Sequence, residues 1–163
     1  MMGNIIAIDP GPEESALVIW DGEEVITKYI RVNRDIEYLC RYKMNDPFVI
    51  EQVECYGMPV GKSIFETVYW TGRFCCAYDT ANAPKLYANR MPRKDVKMHL
   101  CQSMRAKDSN VIQALVDRFA PFEKNKGKGT KKSPGFFYGF KSDIWQAAAL
   151  AVTFYDKQEH KED

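Results

Sequence analysis

The chain of 163 residues, 45% of them hydrophobic, is long enough for one globular domain with a sizeable core, and no apolar run approaches the roughly 18 residues of a membrane span. Two histidines, an odd number of cysteines (five) and the lack of a C-x-x-C motif argue against a histidine metal cluster, a zinc site and a disulfide framework. The net charge of +1 is uneven: −6 over residues 1–84, +10 over 85–141 and −3 over 142–163, so the middle segment favours a polyanionic partner over a merely solvated basic face.

Apolar runs and helical spacing predict the following elements in chain order. The predicted strands are residues 4–9, 15–20, 24–31, 48–53 and 84–88. The predicted helices are residues 32–42, 63–78, 93–103, 109–119 and 143–155, with Asp108 or Ser109 capping the fourth. This order predicts an α/β fold with a mixed five-stranded sheet flanked by helices, in a single domain over residues 1–163.

Residues 121–139 interrupt this order with a basic, glycine-containing segment that we predict to be a flexible loop. Aromatic residues 136–138 close the segment, and lysines beside aromatic rings suit a nucleic-acid contact. The alternatives are a disordered loop whose aromatic residues anchor it to the core, and a DNA surface elsewhere, around Arg90, Arg93, Lys94 and Lys97. The candidate DNA-binding lysines of the loop are Lys126, Lys128, Lys131 and Lys132.

Three acidic residues stand beside apolar sequence, where an unpaired charge is costly. Asp9 ends the first predicted strand before Pro10-Gly11, Glu51 lies near the end of the fourth strand, and Asp143 begins the last helix. Brought together, they would need cations among them, and two divalent ions would satisfy them and support phosphodiester hydrolysis. The simpler interpretations are a turn-forming Asp9, an edge-strand salt bridge for Glu51 and a helix N-terminal charge for Asp143.

The motifs that contain these acids resemble one known family. They are Ile5–Gly11 with its Asp-Pro-Gly, then Ile50-Glu51-Gln52-Val53, then Ser142-Asp143 running into Gln146–Ala151. In order and spacing they are similar to the RuvC-type Holliday junction resolvases of the RNase H-like superfamily, in particular phage-encoded members. The resemblance implies an RNase H-like fold and a homodimer that uses Mg²⁺ (or Mn²⁺), two ions per active site, to nick opposed strands of a four-way DNA junction in recombination and repair.

Carried over by motif, Asp9, Glu51 and Asp143 match the first three acids of the family. Many relatives have a fourth acid at the position of Gln146, whose amide oxygen adds a ligand but no charge. Completion of the second metal site is therefore left open between Gln146, Glu54, Asp108 and water.

The resemblance also assigns roles to basic and aromatic positions. Lys107 matches a catalytic lysine near the scissile phosphate and Lys97 a DNA-binding one, with ordinary surface lysines as the alternative. Tyr56 lies where relatives contact the junction. Relatives also place dimer contacts near residues 65–70, although the helical spacing favours core positions for Phe65 and Trp70.

Other functions share parts of this pattern. A branched-DNA binding module with weak or no cleavage is one, and an RNase H-like nuclease acting on flaps or RNA–DNA hybrids is another. An actin-like ATPase is disfavoured, since the chain has no second Asp-x-Gly loop. With no basic segment before the apolar run at Ile5, we expect no signal peptide and a cytoplasmic protein, in the host if phage-encoded.

Overall fold

The computed structural model describes residues 3–42 and 45–162, so the ends of the predicted domain 1–163 lie partly outside the described residues. Within these ranges the strands are β1 (Ile5–Asp9), β2 (Glu14–Trp20), β3 (Val25–Val32), β4 (Phe48–Gln52) and β5 (Asn89–Pro92). The helices are α1 (Asn33–Cys40), α2 (Lys62–Asn82), α3 (Arg93–Cys101), α4 (Asp108–Phe119) and α5 (Ile144–Glu162).

The described strands form one five-stranded sheet in the order β3-β2-β1-β4-β5. The first three strands are antiparallel neighbours, whereas β4 pairs parallel with β1 and β5 pairs parallel with β4. The predicted α/β fold with a mixed sheet is confirmed. Because β1, β4 and β5 run in the same direction, their carboxyl ends lie at the same edge of the sheet; this edge is called the carboxyl edge below.

Strand β1 is buried on both faces, which explains its continuous apolar sequence. Ile5 and Ala7 belong to the core beneath α5, and Ile6 and Ile8 belong to the core beneath α1 and α2. All four are at most 1% exposed. The strand that carries Asp9 is therefore enclosed on both faces of the sheet.

Helix α5 covers the first of these two cores. Its buried residues are mostly small, which lets the helix lie close to β1 and β2. The small and medium-sized ones form a continuous run, Ala147, Ala148, Ala149, Leu150, Ala151 and Val152, and larger buried residues such as Trp145 and Phe154 lie on either side of it.

A buried carboxylate on α5 ties α3 and α4 to this helix. Asp156 accepts hydrogen bonds from Arg118 of α4 at 2.6 Å and 2.9 Å, and it contacts His99 Nε2 of α3 at 2.7 Å. Burial raises the pKa of Asp156, but the hydrogen bonds from Arg118 and His99 outweigh it and leave the pKa below its usual value. The far end of α3 is thereby fixed against α5, while its first residue lies at the carboxyl edge.

The predicted strand 84–88 is wrong. The backbone N–H of Leu86 donates to Asn82 O at 3.2 Å, and that of Ala88 donates to the Asp79 carboxylate at 2.6 Å, so this segment is a turn bonded to the end of α2 instead of a strand of the sheet. The strand follows at Asn89–Pro92, a short edge strand with little hydrophobic signal.

The predicted cap of the fourth helix is also wrong. Helix α4 already includes Asp108, and the residue before it is Lys107. The side chain of Asn110 accepts a hydrogen bond from the Lys107 backbone N–H at 2.8 Å. The carboxylate of Asp108 is thereby free to bind elsewhere.

All five cysteines are unpaired. In the part of the chain that the structure describes, no helix combines the length and the apolar character that crossing a bilayer requires.

Candidate active site

Asp9 and Glu51 lie side by side at the carboxyl edge. Ile8 of β1 pairs with Ile50 of β4 in the parallel register, and the next residue of each strand is one of the two acids. Both are partly buried, and the Glu51 side chain is 15% exposed. The sheet register thus brings together two carboxylates that are far apart in the chain.

Asp143 reaches this neighbourhood from the helix that covers β1. Its backbone carbonyl accepts the first hydrogen bond of α5, at 2.9 Å. Trp145 is buried between Phe137 and Phe140, with ring centroids 4.7 Å and 4.9 Å away, which fixes the start of the helix. The Asp143 side chain itself is exposed.

The three acids interact electrostatically. Burial first, and then the negative charges of Glu51 and Asp143, raise the pKa of Asp9 to about 8. The positive charge of Arg93 opposes this shift but does not cancel it. When Asp9 is ionised, the site therefore has excess negative charge, which a divalent cation would neutralise.

Arg93, the first residue of α3, bridges two acids at this edge. Its Nη1 donates to Glu51 Oε2 at 3.0 Å, and its Nη2 donates to Asp108 Oδ1 at 2.6 Å. Burial raises the pKa of Glu51, and the charges of Arg93 and then Lys97 act against the increase. Arg93 is thus the principal positive charge beside the predicted ligands.

The donor chemistry at the carboxyl edge fits a hard cation, although the three acids are not grouped as a ready metal site. Among residues 3–42 and 45–162, no three His, Cys, Asp or Glu side chains are grouped closely enough to hold a metal ion. Arg93 occupies one oxygen of Glu51, and Asp143 is exposed to solvent at the end of its helix. Carboxylate oxygens are nevertheless the ligands that Mg²⁺ and Mn²⁺ prefer, and half-buried Gln146 lies one helical turn after Asp143.

The two other acids considered as ligands have different partners. Glu54 forms an ion pair with Lys94 at 3.1 Å and accepts a hydrogen bond from the Tyr56 hydroxyl at 2.7 Å. Asp108 is held by Arg93. The charge of Asp108 is among those that raise the pKa of Asp9.

A basic cavity of about 310 Å³ adjoins Arg93, and Lys97 in its wall acts electrostatically on Glu51. Lys107 lies exposed just before α4. The cavity is lined by Tyr56, Arg93, Lys94, Lys97 and Met104.

The bridging role of Arg93 was missed because the strand before it was predicted too early in the chain. A strand that ends at Pro92 puts the next residue, Arg93, at the carboxyl edge beside Glu51. The Met-Pro-Arg sequence directly before a helical pattern was the available signal, since proline often marks such a boundary.

The basic segment 121–139 has no helix and folds back on itself. Gly127 O accepts a hydrogen bond from the Phe137 backbone N–H at 2.8 Å, and Lys128 O accepts one from Gly135 at 3.0 Å. Phe136 stacks on Phe119 at 5.4 Å between centroids, and Phe137 is 2% exposed. These two rings anchor the segment to the core, whereas Lys126, Lys131 and Lys132 are exposed and Lys128 is half-buried. The flexibility of the segment stays a prediction.

An apolar face on the first half of α2 is exposed. Phe65, Val68 and Tyr69 are 64%, 50% and 54% exposed. The predicted core position of Phe65 is wrong, because the inner face of α2 is formed by residues such as Phe74. Trp70 packs partly buried against the second core, as predicted.

Comparison with solved structures gives matches that cover nearly the whole chain, including two structures of RuvC. The structure of Thermus thermophilus RuvC aligns with a TM-score of 0.66 and 17% identity, over 96% of each chain. The complex of T. thermophilus RuvC with a Holliday junction substrate aligns with a TM-score of 0.64 and 17% identity, again over 96% of each chain. No family model and no curated protein sequence matches this chain. The chain has a RuvC-like, RNase H-like fold.

Proposed function

We propose that this chain is a divalent-metal-dependent endonuclease that resolves four-way DNA junctions by paired, symmetric nicks. The observation that carries the proposal is the pair of carboxylates Asp9 and Glu51 at the carboxyl edge, where the charges of Glu51 and Asp143 raise the pKa of Asp9. The match to a fold that has been solved with a Holliday junction supports the choice of substrate. The phage-encoded origin rests on the sequence motifs alone and stays a prediction.

Asp9, Glu51 and Asp143 would hold Mg²⁺ or Mn²⁺, with Gln146 as a neutral further ligand. The bound metal would activate water and neutralise the oxygen that leaves the phosphodiester. The protein supplies rigid positions for the first two ligands through the register of β1 and β4. Asp143 sits at a helix start whose packing is fixed by Trp145.

Basic side chains around these acids would hold the DNA backbone. Lys97 and Lys94 line the cavity beside Glu51, where a phosphate would be drawn by their charge. Lys107 would stabilise the charge that develops on the scissile phosphate. Tyr56, 68% exposed at the mouth of the same cavity, offers a ring for stacking on an unpaired base.

The proposed nuclease acts as a homodimer, since two opposed nicks need two active sites. The exposed apolar face of α2, with Phe65, Val68 and Tyr69, is the surface we assign to the second copy. This face directly follows the loop that leaves Glu51, so pairing across it would set the distance between two active sites.

Cleavage of a mobile four-way junction, compared with linear duplex, flap and RNA–DNA hybrid in Mg²⁺ and in Mn²⁺, tests the proposal. We expect paired, symmetric nicks in the junction and no comparable cutting of the other substrates. Asp9→Asn serves as the inactive control for a contaminating nuclease.

The other outcomes identify the alternatives. Tight junction binding without cleavage would make the chain a branched-DNA binding module, which the neutral Gln146 would explain. Preferential cutting of flaps or hybrids would support the proposed active site but show that the four-way junction is not the preferred substrate.

A further inference from the structure

Arg93 is a fixed cation in contact with a candidate metal ligand. It bonds Glu51 at 3.0 Å and Asp108 at 2.6 Å, and its side chain is 26% exposed. Two ion pairs and the first turn of α3 hold the guanidinium at the carboxyl edge. Any metal ion bound by Glu51 would therefore share the site with this charge.

The contact limits what Glu51 can offer a metal. Arg93 bonds Oε2, so Oε1 is the oxygen that does not share its lone pairs with the guanidinium and is the better placed to coordinate a cation. A carboxylate that bridges two metal ions uses both oxygens. The position one turn after Asp143, where a further acid would hold a second ion, is Gln146 and adds no negative charge.

The charges agree with this limit. Asp9, Glu51 and Asp143 contribute three negative charges, and Arg93 returns one positive charge, so one divalent cation neutralises the group. Asp108, which bonds Arg93 and also acts on Asp9, adds a negative charge, but its side chain is 63% exposed, so solvent screens this charge more than those of the partly buried acids.

We infer that Arg93 is a positioning residue that takes the place of the second divalent ion, so that each chain binds one ion through Asp9, Asp143 and the free oxygen of Glu51. The inference rests on the proposed metal-dependent function and replaces the two ions that the family resemblance implies. Arg93 holds Glu51 in one rotamer and supplies, without a metal, the positive charge on that side of the site.

Titration of the full chain with Mn²⁺, followed by calorimetry and by the electron paramagnetic resonance of free Mn²⁺, tests the inference without measuring activity. We expect one Mn²⁺ per wild-type chain. Arg93→Ala, which frees the second oxygen of Glu51, should raise the number to two, and Arg93→Lys, which keeps the charge, should leave it at one. Asp108→Asn is the matched control: it removes the other half of the bridge but leaves Arg93 on Glu51, so it should also bind one ion.

Three results would overturn the inference. Two bound ions per wild-type chain would overturn the role of Arg93 but leave the proposed metal-dependent function intact. A wild-type chain that binds no Mn²⁺ would overturn the role of Arg93 and the proposed function together. If the Arg93→Ala chain folds and binds one ion with wild-type affinity, Arg93 does not affect the metal site and serves only to connect α3 with α4. If thermal unfolding shows that Arg93→Ala does not fold, Arg93→Gln, uncharged but of similar length, provides the same comparison.

Discussion

Asp9 and Glu51 leave neighbouring parallel strands at adjacent positions, one residue beyond the paired Ile8 and Ile50. The sheet holds the two carboxylates together, although their proximity is unfavourable without a cation. Burial and this neighbour are the two largest causes of the raised pKa of Asp9. A fold that tolerates such a pair is typical of a functional site, where stability is given up for binding or chemistry.

We predict that Asp9→Asn stabilises the metal-free protein at alkaline pH. Asp9 has a pKa of about 8 in the folded chain, above its usual 3.8, so the unfolded chain loses this proton first as the pH rises. Wild-type stability should therefore fall between about pH 4 and pH 8, and Asp9→Asn should remove that part of the decrease, on the order of a few kcal/mol. Urea unfolding in EDTA at about pH 5 and pH 8 measures the difference. Asp35→Asn, an exposed acid on α1, is the control, and an equal pH dependence in wild type and Asp9→Asn would contradict the prediction.

The same substitution should abolish cleavage but retain junction binding. The asparagine would keep the shape of the side chain and remove the charge that holds the metal, while affinity for DNA comes mainly from basic side chains. We expect a loss of cleavage rate greater than about 100-fold, the upper range for residues that only support a ligand. Cleavage and binding of the same junction measure the two effects. If Asp9→Asn cut the junction at the wild-type rate, Asp9 would not be a residue of the active site.

The sequence predicted the strands and helices that have a strong hydrophobic pattern of their own. It did not predict the position of an element that depends on pairing with a neighbouring strand. The buried run Ile5–Ile8 and the spacing within α2 are local signals, and both elements were predicted. Strand β5 has the sequence Asn-Arg-Met-Pro and exists because β4 provides a parallel neighbour, so its position could not be read from its own residues.

The candidate site was predicted unevenly for the same reason. Asp9 and Glu51 end apolar runs, which is a local signal for an unusual charge. The bond between Arg93 and Glu51 spans 42 residues and depends on where β5 ends, so no local pattern contains it. Phe65 was assigned to the core because helical spacing shows periodicity but not which face is covered.

We predict that Gln146→Asp retains cleavage and shifts its dependence to lower Mg²⁺ concentration. The residue lies one turn after Asp143 on the same helix face, so a carboxylate there would add a charged ligand. Gln146→Ala should lower the rate less than Asp143→Asn does, because it removes a neutral ligand. Cleavage rates over a Mg²⁺ series measure both effects. If Gln146→Ala proved as inactive as Asp143→Asn, the amide would be an essential ligand.

We predict that Phe65→Glu separates the proposed dimer without unfolding the chain. Phe65 is 64% exposed in the single chain, so a charge there costs little to the fold but disrupts an apolar interface. Light scattering at micromolar concentration should give a dimer for wild type and a monomer for the variant, whose junction cuts should become unpaired. Tyr38→Glu, at an exposed aromatic residue on α1, is the matched control. A wild-type monomer that stays monomeric on a junction would rule out the homodimer.

We predict that replacing Lys126, Lys128, Lys131 and Lys132 together with alanine weakens junction binding and flattens its salt dependence. Their segment is anchored through Phe136 and Phe137, so the fold should not need the lysine side chains. If each lysine contacts one phosphate, the slope of log K against log salt should fall by about 0.9 per lysine removed. Fluorescence anisotropy over a salt series measures the slope, and thermal unfolding checks the fold.

Lys85→Ala, at an exposed lysine before β5, is the control and should leave the slope unchanged. An unchanged slope in the fourfold variant would mean that the segment is a solvated spacer. The phosphate contacts would then be sought at the basic cavity beside Glu51, where Lys94→Ala and Lys97→Ala should each lower the slope, because both lysines line this cavity and the charge of Lys97 acts on Glu51.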